Sequence, residues 1–163
     1  MKGRLVIFCG IPGSGKTTIA KLVANSFEDS IVIETDDVRR MLTHPSFSPD
    51  ESRWVYTACF AIAKAALKAG YFVILDGTFL REEYRLEARM VLRRYYKRAD
   101  TVWVRCGLET ALERNSARNA VVPAVKVKAM FDAFETPRVA ARVDSTKMTP
   151  ELASRRVVSA LRR

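Results

Sequence analysis

One octapeptide limits the folds open to this 163-residue chain more than any other feature. Gly10, Ile11, Pro12, Gly13, Ser14, Gly15, Lys16 and Thr17 match G-x-x-x-x-G-K-[ST] in full, and Thr18 follows. The match lies after an apolar run over 5–9 and ahead of a helical pattern that opens at Lys16, the setting a phosphate-binding loop needs. Glycines let the backbone wrap a phosphate with its N–H groups pointing inward, and the next helix adds its partial positive N-terminus. Lys16 is then placed to reach β- and γ-phosphates, and Thr17 to offer its hydroxyl to Mg²⁺. A glycine-rich turn matching by chance would not have strand, loop and helix in register, so a nucleotide site is expected. The Asn-Lys-x-Asp sequence with which guanine-specific GTPases read their base is absent. A large ATPase motor would need more chain, which leaves a small phosphotransferase.

The rest of the chain alternates short Val/Ile-rich runs with helical patterns, as an α/β domain with a parallel sheet does. Strands are expected over 5–9, 31–33, 72–75, 101–105 and 139–143, and helices over 16–27, 50–69, 81–98, 108–116, 125–134 and 150–161. Pro49 suits the first turn of the second helix and Gly70 its stop. The fold expected is a three-layer α/β sandwich, with a mainly parallel five-stranded sheet and a helical lid over about 114–137. No linker, repeat or composition break divides residues 1–163, so one domain is expected. No apolar run approaches the ~20 residues of a membrane helix. The N-terminus lacks a cleavable signal pattern, and Cys9, Cys59 and Cys106 form no CxxC pair, so a cytoplasmic protein with reduced thiols is expected.

Three strand ends carry candidate chemistry, because in an open parallel sheet the strand C-termini face the ligand crevice. The second run ends in Glu34-Thr35-Asp36-Asp37-Val38-Arg39. Asp36 can take a proton from an attacking hydroxyl, and Arg39, three residues on, can hold an anionic group of the acceptor. A helix start favours the same residues, with Thr35 or Asp36 as N-cap, so both readings stand. The third run ends in Leu75-Asp76-Gly77-Thr78, where Asp76 either ligates Mg²⁺ through water or contacts the acceptor with Thr78; a turn-forming Asp-Gly is the alternative. Arg114 and Arg118, four apart, share a helix face and either close over phosphates or face solvent.

These residues together resemble the P-loop kinase group that contains phage-type polynucleotide 5′-hydroxyl kinase, from Leu5 to about Pro137. The likeness rests on the loop through Thr18, on Asp36-Asp37-Val38-Arg39, and on Arg114-Asn115-Ser116-Ala117-Arg118 running to Val122-Pro123. The resemblance implies that Asp36 is the general base, Arg39 the acceptor clamp, and Arg114 and Arg118 a lid gripping the ATP phosphates. It also implies Mg²⁺, and a 5′-hydroxyl end of RNA or DNA as acceptor. Relatives divide the field. Adenylylsulfate kinases share an Asp-x-x-Arg and a segment like residues 47–53. Seryl-tRNA(Sec) kinases share Arg-Asn-x-x-Arg with a later Met and Glu-x-Pro, matched here by Met130 and Glu135-Thr136-Pro137. The phosphatase domain of the phage enzyme and the RNA-binding domain of the tRNA kinase have no counterpart in these residues.

Charge bears on the acceptor. Lys+Arg number 28 against 18 Asp+Glu, a net +10 that points to an anionic partner, nucleic acid first, or simply to solubility. Arg85, Arg89 and Arg93 at i, i+4, i+8, continued by Arg94, Lys97 and Arg98 near Tyr95 and Tyr96, could track a nucleic-acid backbone or form a solvated face. Trp54 and Tyr56 cannot both face the core, so one is expected to edge the acceptor groove. His44 has no partner spaced for a metal site, and the terminal Arg155/Arg156 and Arg162/Arg163 pairs are expected in solvent. A protein of another class also fits: a nucleic-acid binder switched by nucleotide.

Overall fold

The computed structural model describes residues 3–46, 48–117 and 122–163. Five strands form one all-parallel sheet: β1 (Gly3–Cys9), β2 (Ser30–Glu34), β3 (Phe72–Asp76), β4 (Tyr96–Arg105) and β5 (Ala141–Asp144). Their order is β2-β3-β1-β4-β5. The helices are α1 (Lys16–Ala24), α2 (Thr35–Arg39), α3 (Pro49–Lys68), α4 (Glu82–Leu92), α5 (Leu108–Ser116), α6 (Ala124–Asp132) and α7 (Pro150–Leu161). The expected three-layer fold and parallel sheet are both present.

Alternation along β1 explains the layers. Leu5, Ile7 and Cys9 join one core with Val55, Cys59 and Leu67 of α3 and Leu92 of α4. Val6 and Phe8 join another with Ile19 and Val23 of α1 and Val157 of α7. A strand buried on both faces reads as a continuous apolar run, as 5–9 does. Two helix starts follow the sequence closely. Ser48 Oγ accepts from Glu51 N (3.2 Å) ahead of Pro49, and Thr149 Oγ1 accepts from Leu152 N (3.3 Å) ahead of Pro150.

The pattern over 81–98 departs from expectation. The helix stops at Leu92, a turn takes Tyr95 N to the Leu92 carbonyl (2.9 Å), and β4 starts at Tyr96 paired with Gly3. No Gly or Pro marks this break; Tyr96 leaves the helix because the sheet buries it. The first helix likewise ends at Ala24 rather than 27, where Phe27 folds back to stack on Phe72 with ring centroids 4.1 Å apart.

Topology sets the site. From β1 the chain moves out to β2, returns through β3 and crosses to β4 beyond β1, so the C-terminal ends of β1, β2 and β3 meet. Asp76 is in register with Phe8 on one side and Glu34 on the other.

Candidate active site

The loop between β1 and α1 has the backbone its glycines allow. Gly13 and Gly15 both take φ +80, and a Cβ on Gly13 would sit 2.2 Å from the Ala111 carbonyl oxygen. Gly13, Gly15, Lys16, Thr17 and Thr18 line a pocket of about 340 Å³ that Glu34 and Arg114 complete. Gly10 N donates to the Thr78 carbonyl (3.2 Å), tying the loop to the chain after β3. Ile11 turns away and packs with Cys106, Ala111 and Val127.

A second cavity, about 300 Å³, opens beside it and shares Lys16, Thr17 and Glu34 with the first. Asp36, Arg39, Asp76 and Thr78 all line this cavity, so the structure brings together the four residues expected on the acceptor side. Pro12 of the loop and Gly77 also face it. Asp36 lies in the first turn of α2 and is exposed. The N-cap of α2 is Glu34, and no side chain caps the helix, so the capping explanation of Thr35 and Asp36 does not hold. Arg39 pairs with Glu51 of α3 and donates to Ser52 Oγ (3.3 Å), which fixes its guanidinium at the cavity wall.

Asp76 is 2% exposed. Its Oδ2 accepts from Thr17 Oγ1 (2.5 Å), while Oδ1 is buried with no hydrogen-bond partner among the described residues. Burial pushes the carboxyl above its ordinary value, and the opposing pull of Lys16 and the Thr17 hydroxyl does not cancel it. An unpaired buried carboxylate oxygen beside a threonine hydroxyl suits a hard cation. Among the described residues no three His, Cys, Asp or Glu side chains gather as a metal-ligand cluster. Mg²⁺ keeps several waters and takes phosphate oxygens with one or two protein ligands, which Thr17 Oγ1 and Asp76 could supply.

The expected lid divides between the two pockets. Arg114 of α5 faces the phosphate pocket. Its guanidinium donates to Ser145 Oγ (2.9 Å) and the Ser145 carbonyl (3.0 Å), and Ser145 Oγ donates to the Ser14 carbonyl (2.7 Å). Arg118 lies outside the described residues. Val122, Pro123, Lys126 and Met130, just before and within α6, line the second cavity instead. Asn115 is bonded to Val122 in both directions, Nδ2 to its carbonyl (2.7 Å) and Oδ1 from its N–H (3.2 Å). No helix is long and apolar enough to cross a membrane among the described residues.

Sequence reasoning missed several residues here. Glu34 sits between the pockets with Lys21 Nζ 2.7 Å away, and this bond is the main reason the lysine's pKa is raised. Its place at a strand end was the available signal. Ser145, directly after β5, carried the same one. Tyr84 had none. Of the α3 pair, Tyr56 walls the cavity and stacks on Tyr84 (5.4 Å between centroids), while Trp54 is 48% exposed. Burial raises the Tyr56 hydroxyl well above its ordinary pKa.

The arginine stripe is not one continuous surface, although Arg93, Arg94, Lys97 and Arg98 are exposed. Arg85 is fully buried, Arg89 donates to Thr101 Oγ1, and Arg98 donates to Asp100 Oδ1 (3.1 Å). Helical spacing placed Arg85 and Arg89 on one face; that face packs inward on the chain, and Lys97 and Arg98 belong to β4. His44 and the terminal arginine pairs are exposed. Cys9, Cys59 and Cys106 are free and buried, and burial pushes the Cys9 and Cys59 thiols up to about 12.

A family model described as an AAA domain (AAA_33) matches residues 5–137. The chain belongs to this family. It is 25% identical over 137 residues to L-seryl-tRNA(Sec) kinase of Methanococcus maripaludis, covering 82% of this chain and 53% of that protein. The chain thus spans about half the length of this relative. Among solved structures, APS kinase CysC of Mycobacterium tuberculosis, in complex with AMPPNP and APS, superposes with TM-score 0.78 at 19% identity over 99% of both chains. A chain of the Pnkp1/Rnl/Hen1 RNA repair complex superposes with TM-score 0.67 at 22% identity, over 82% of this chain and 44% of that one. The fold is that of a P-loop kinase.

Proposed function

We propose that this member of the AAA_33 family is an ATP-dependent phosphotransferase that moves a γ-phosphate onto an acceptor hydroxyl. The observation that carries it is the pair of adjoining pockets with Lys16, Thr17 and Glu34 in their shared wall. A donor phosphate on the loop and a hydroxyl in the cavity would meet at Lys16. Positioning and charge stabilisation do most of the work in phosphoryl transfer. In this reading Asp36 accepts the hydroxyl proton and Arg39 holds an anionic group of the acceptor. Lys16 and Arg114 offset charge on the transferring phosphoryl, Arg114 already oriented by Ser145. Mg²⁺ held by Thr17, with Asp76 bound directly or through water, would supply neutralisation of the β- and γ-phosphate charge.

For the acceptor we infer the 5′-hydroxyl end of a polynucleotide, its terminal residue entering the cavity beside Tyr56 and Tyr84. The motifs Asp36-Asp37-Val38-Arg39 and Arg114-Asn115-Ser116 support it, as do the aromatic wall and the likeness to a chain of an RNA repair complex. A small anionic acceptor is the second reading. The inward use of Arg85 and Arg89 favours it, because it takes two cations from the basic stripe and leaves Arg93, Arg94, Lys97 and Arg98 on the surface.

A transfer assay decides. ATP labelled at the γ-phosphate is offered with 5′-hydroxyl RNA, 5′-hydroxyl DNA, adenylylsulfate and nucleosides in parallel. Label on an oligonucleotide end supports the first acceptor, and label on adenylylsulfate alone supports the second. Salt-sensitive RNA binding with no label on any acceptor would sink the kinase reading in favour of a nucleotide-switched binder.

A further inference from the structure

We propose that Arg85 is a positioning residue that holds two segments of the acceptor cavity's wall at one spacing. This rests on the reading of that cavity as the acceptor's. Arginine is almost never fully buried unless paired, yet Arg85 has 0% exposure and heads the fully buried side chains by volume. Its fork is spent on three partners. Nε donates to Glu82 Oε2 (2.8 Å), Nη1 to the Phe79 carbonyl, and Nη2 to the Glu135 carbonyl (2.9 Å).

Two of those partners belong to separate segments that each supply part of the wall. Phe79 lies between Thr78 and Leu80, which both line the cavity, and its N–H donates to Tyr56 Oη (3.3 Å), another wall residue. Glu135 follows α6, whose Lys126 and Met130 also line the cavity. The same seam carries Glu135 N to the Leu80 carbonyl (3.1 Å) and Glu82 N to Glu135 Oε2 (2.7 Å).

Backbone strain marks the spot independently. Phe79 is a bulky, fully buried residue at φ +41, a left-handed conformation that only its surroundings can sustain. The Arg85 bond to its carbonyl is one such restraint. A lysine could keep the charge, but its single ammonium cannot span both carbonyls as a planar fork does.

The test uses Arg85→Lys and, should that variant not fold, Glu82→Gln, whose carboxylate sits at the half-exposed end of the network. The acceptor probe is a 5′-hydroxyl oligoribonucleotide, and the donor probe is AMPPNP. Arg85→Lys should raise the acceptor KM about tenfold while kcat changes by less than about threefold. AMPPNP affinity should stay within about twofold, because the nucleotide loop is untouched. Amide hydrogen exchange should quicken together at 78–80 and at 133–135, and at Gly10, whose N–H is held by the Thr78 carbonyl, but not at 13–17. Glu82→Gln should shift the same quantities the same way by about threefold.

Equal changes in donor and acceptor binding, or faster exchange at one segment alone, would overturn the proposal. If the wild-type chain leaves the oligoribonucleotide unlabelled, the acceptor reading fails, and exchange then decides the role of Arg85. Coupled loosening of both segments supports it, and uncoupled loosening or none overturns it.

Discussion

The phosphate pocket and the acceptor cavity adjoin, yet they are built in opposite ways. The first is largely one continuous stretch of chain, Gly13–Thr18, closed by Glu34 and Arg114. The second draws side chains from α2, α3, the chain after β3, α4 and α6. A site made of backbone N–H groups depends on local conformation, which glycines and one lysine encode. A site walled by side chains from many parts of the chain depends on how the helices pack. The first is therefore general, and the second is where this protein can differ from its relatives.

Variants can sharpen that contrast. The largest effect should come from the shared wall: Lys16→Ala is expected to cut transfer about 10³-fold, with both donor and acceptor KM rising, in steady-state kinetics. Asp36→Ala should lower kcat by about 10²–10³-fold and leave AMPPNP binding by calorimetry within about twofold. If Asp36→Ala keeps full activity, the base is assigned to the wrong residue. Lys126→Ala should touch the acceptor side alone, raising acceptor KM about tenfold with donor KM unchanged. Ser145→Ala removes one bond to Arg114 and one to the Ser14 carbonyl, and should lower kcat about fivefold with acceptor KM unchanged.

The smallest effect is one of pH. Because burial raises the Asp76 carboxyl, the folded chain keeps a proton there at pH values where the unfolded chain has lost it. Stability from this group is full below the unfolded pKa and is lost as pH rises through the folded one. The metal-free protein should therefore lose Tm as pH rises between the unfolded and folded values, and Asp76→Asn should flatten this part of the Tm profile. Mg²⁺ with AMPPNP, which favours the carboxylate in the folded chain, should shrink this loss.

How much was readable in advance follows the same division. The loop, the buried strand before it and the Ser48-Pro49 helix start are local, and the structure has them where the residues placed them. Asp36, Arg39, Asp76 and Thr78 were found as strand-end residues, since a parallel sheet gathers its C-terminal ends. Tyr84 and Lys126 escaped because nothing in their spacing separates a cavity wall from an amphipathic face, and Met130 stood out only by its likeness to the tRNA kinases. The arginine stripe misled for a related reason: periodicity tells which residues share a face, and not whether water or protein covers it. Asn115 was quoted in a motif without a role; its two bonds to Val122 supply one by joining α5 to the start of α6.

By itself, the sequence determined the phosphate loop and the α/β alternation, since both rest on short-range rules of backbone freedom and side-chain period. Tertiary structure alone decided that the expected lid serves two pockets and that Arg85 is spent inside the chain. Both depend on which helix packs over which strand end, and burying a guanidinium against carbonyls distant in sequence leaves no mark in the residues around it.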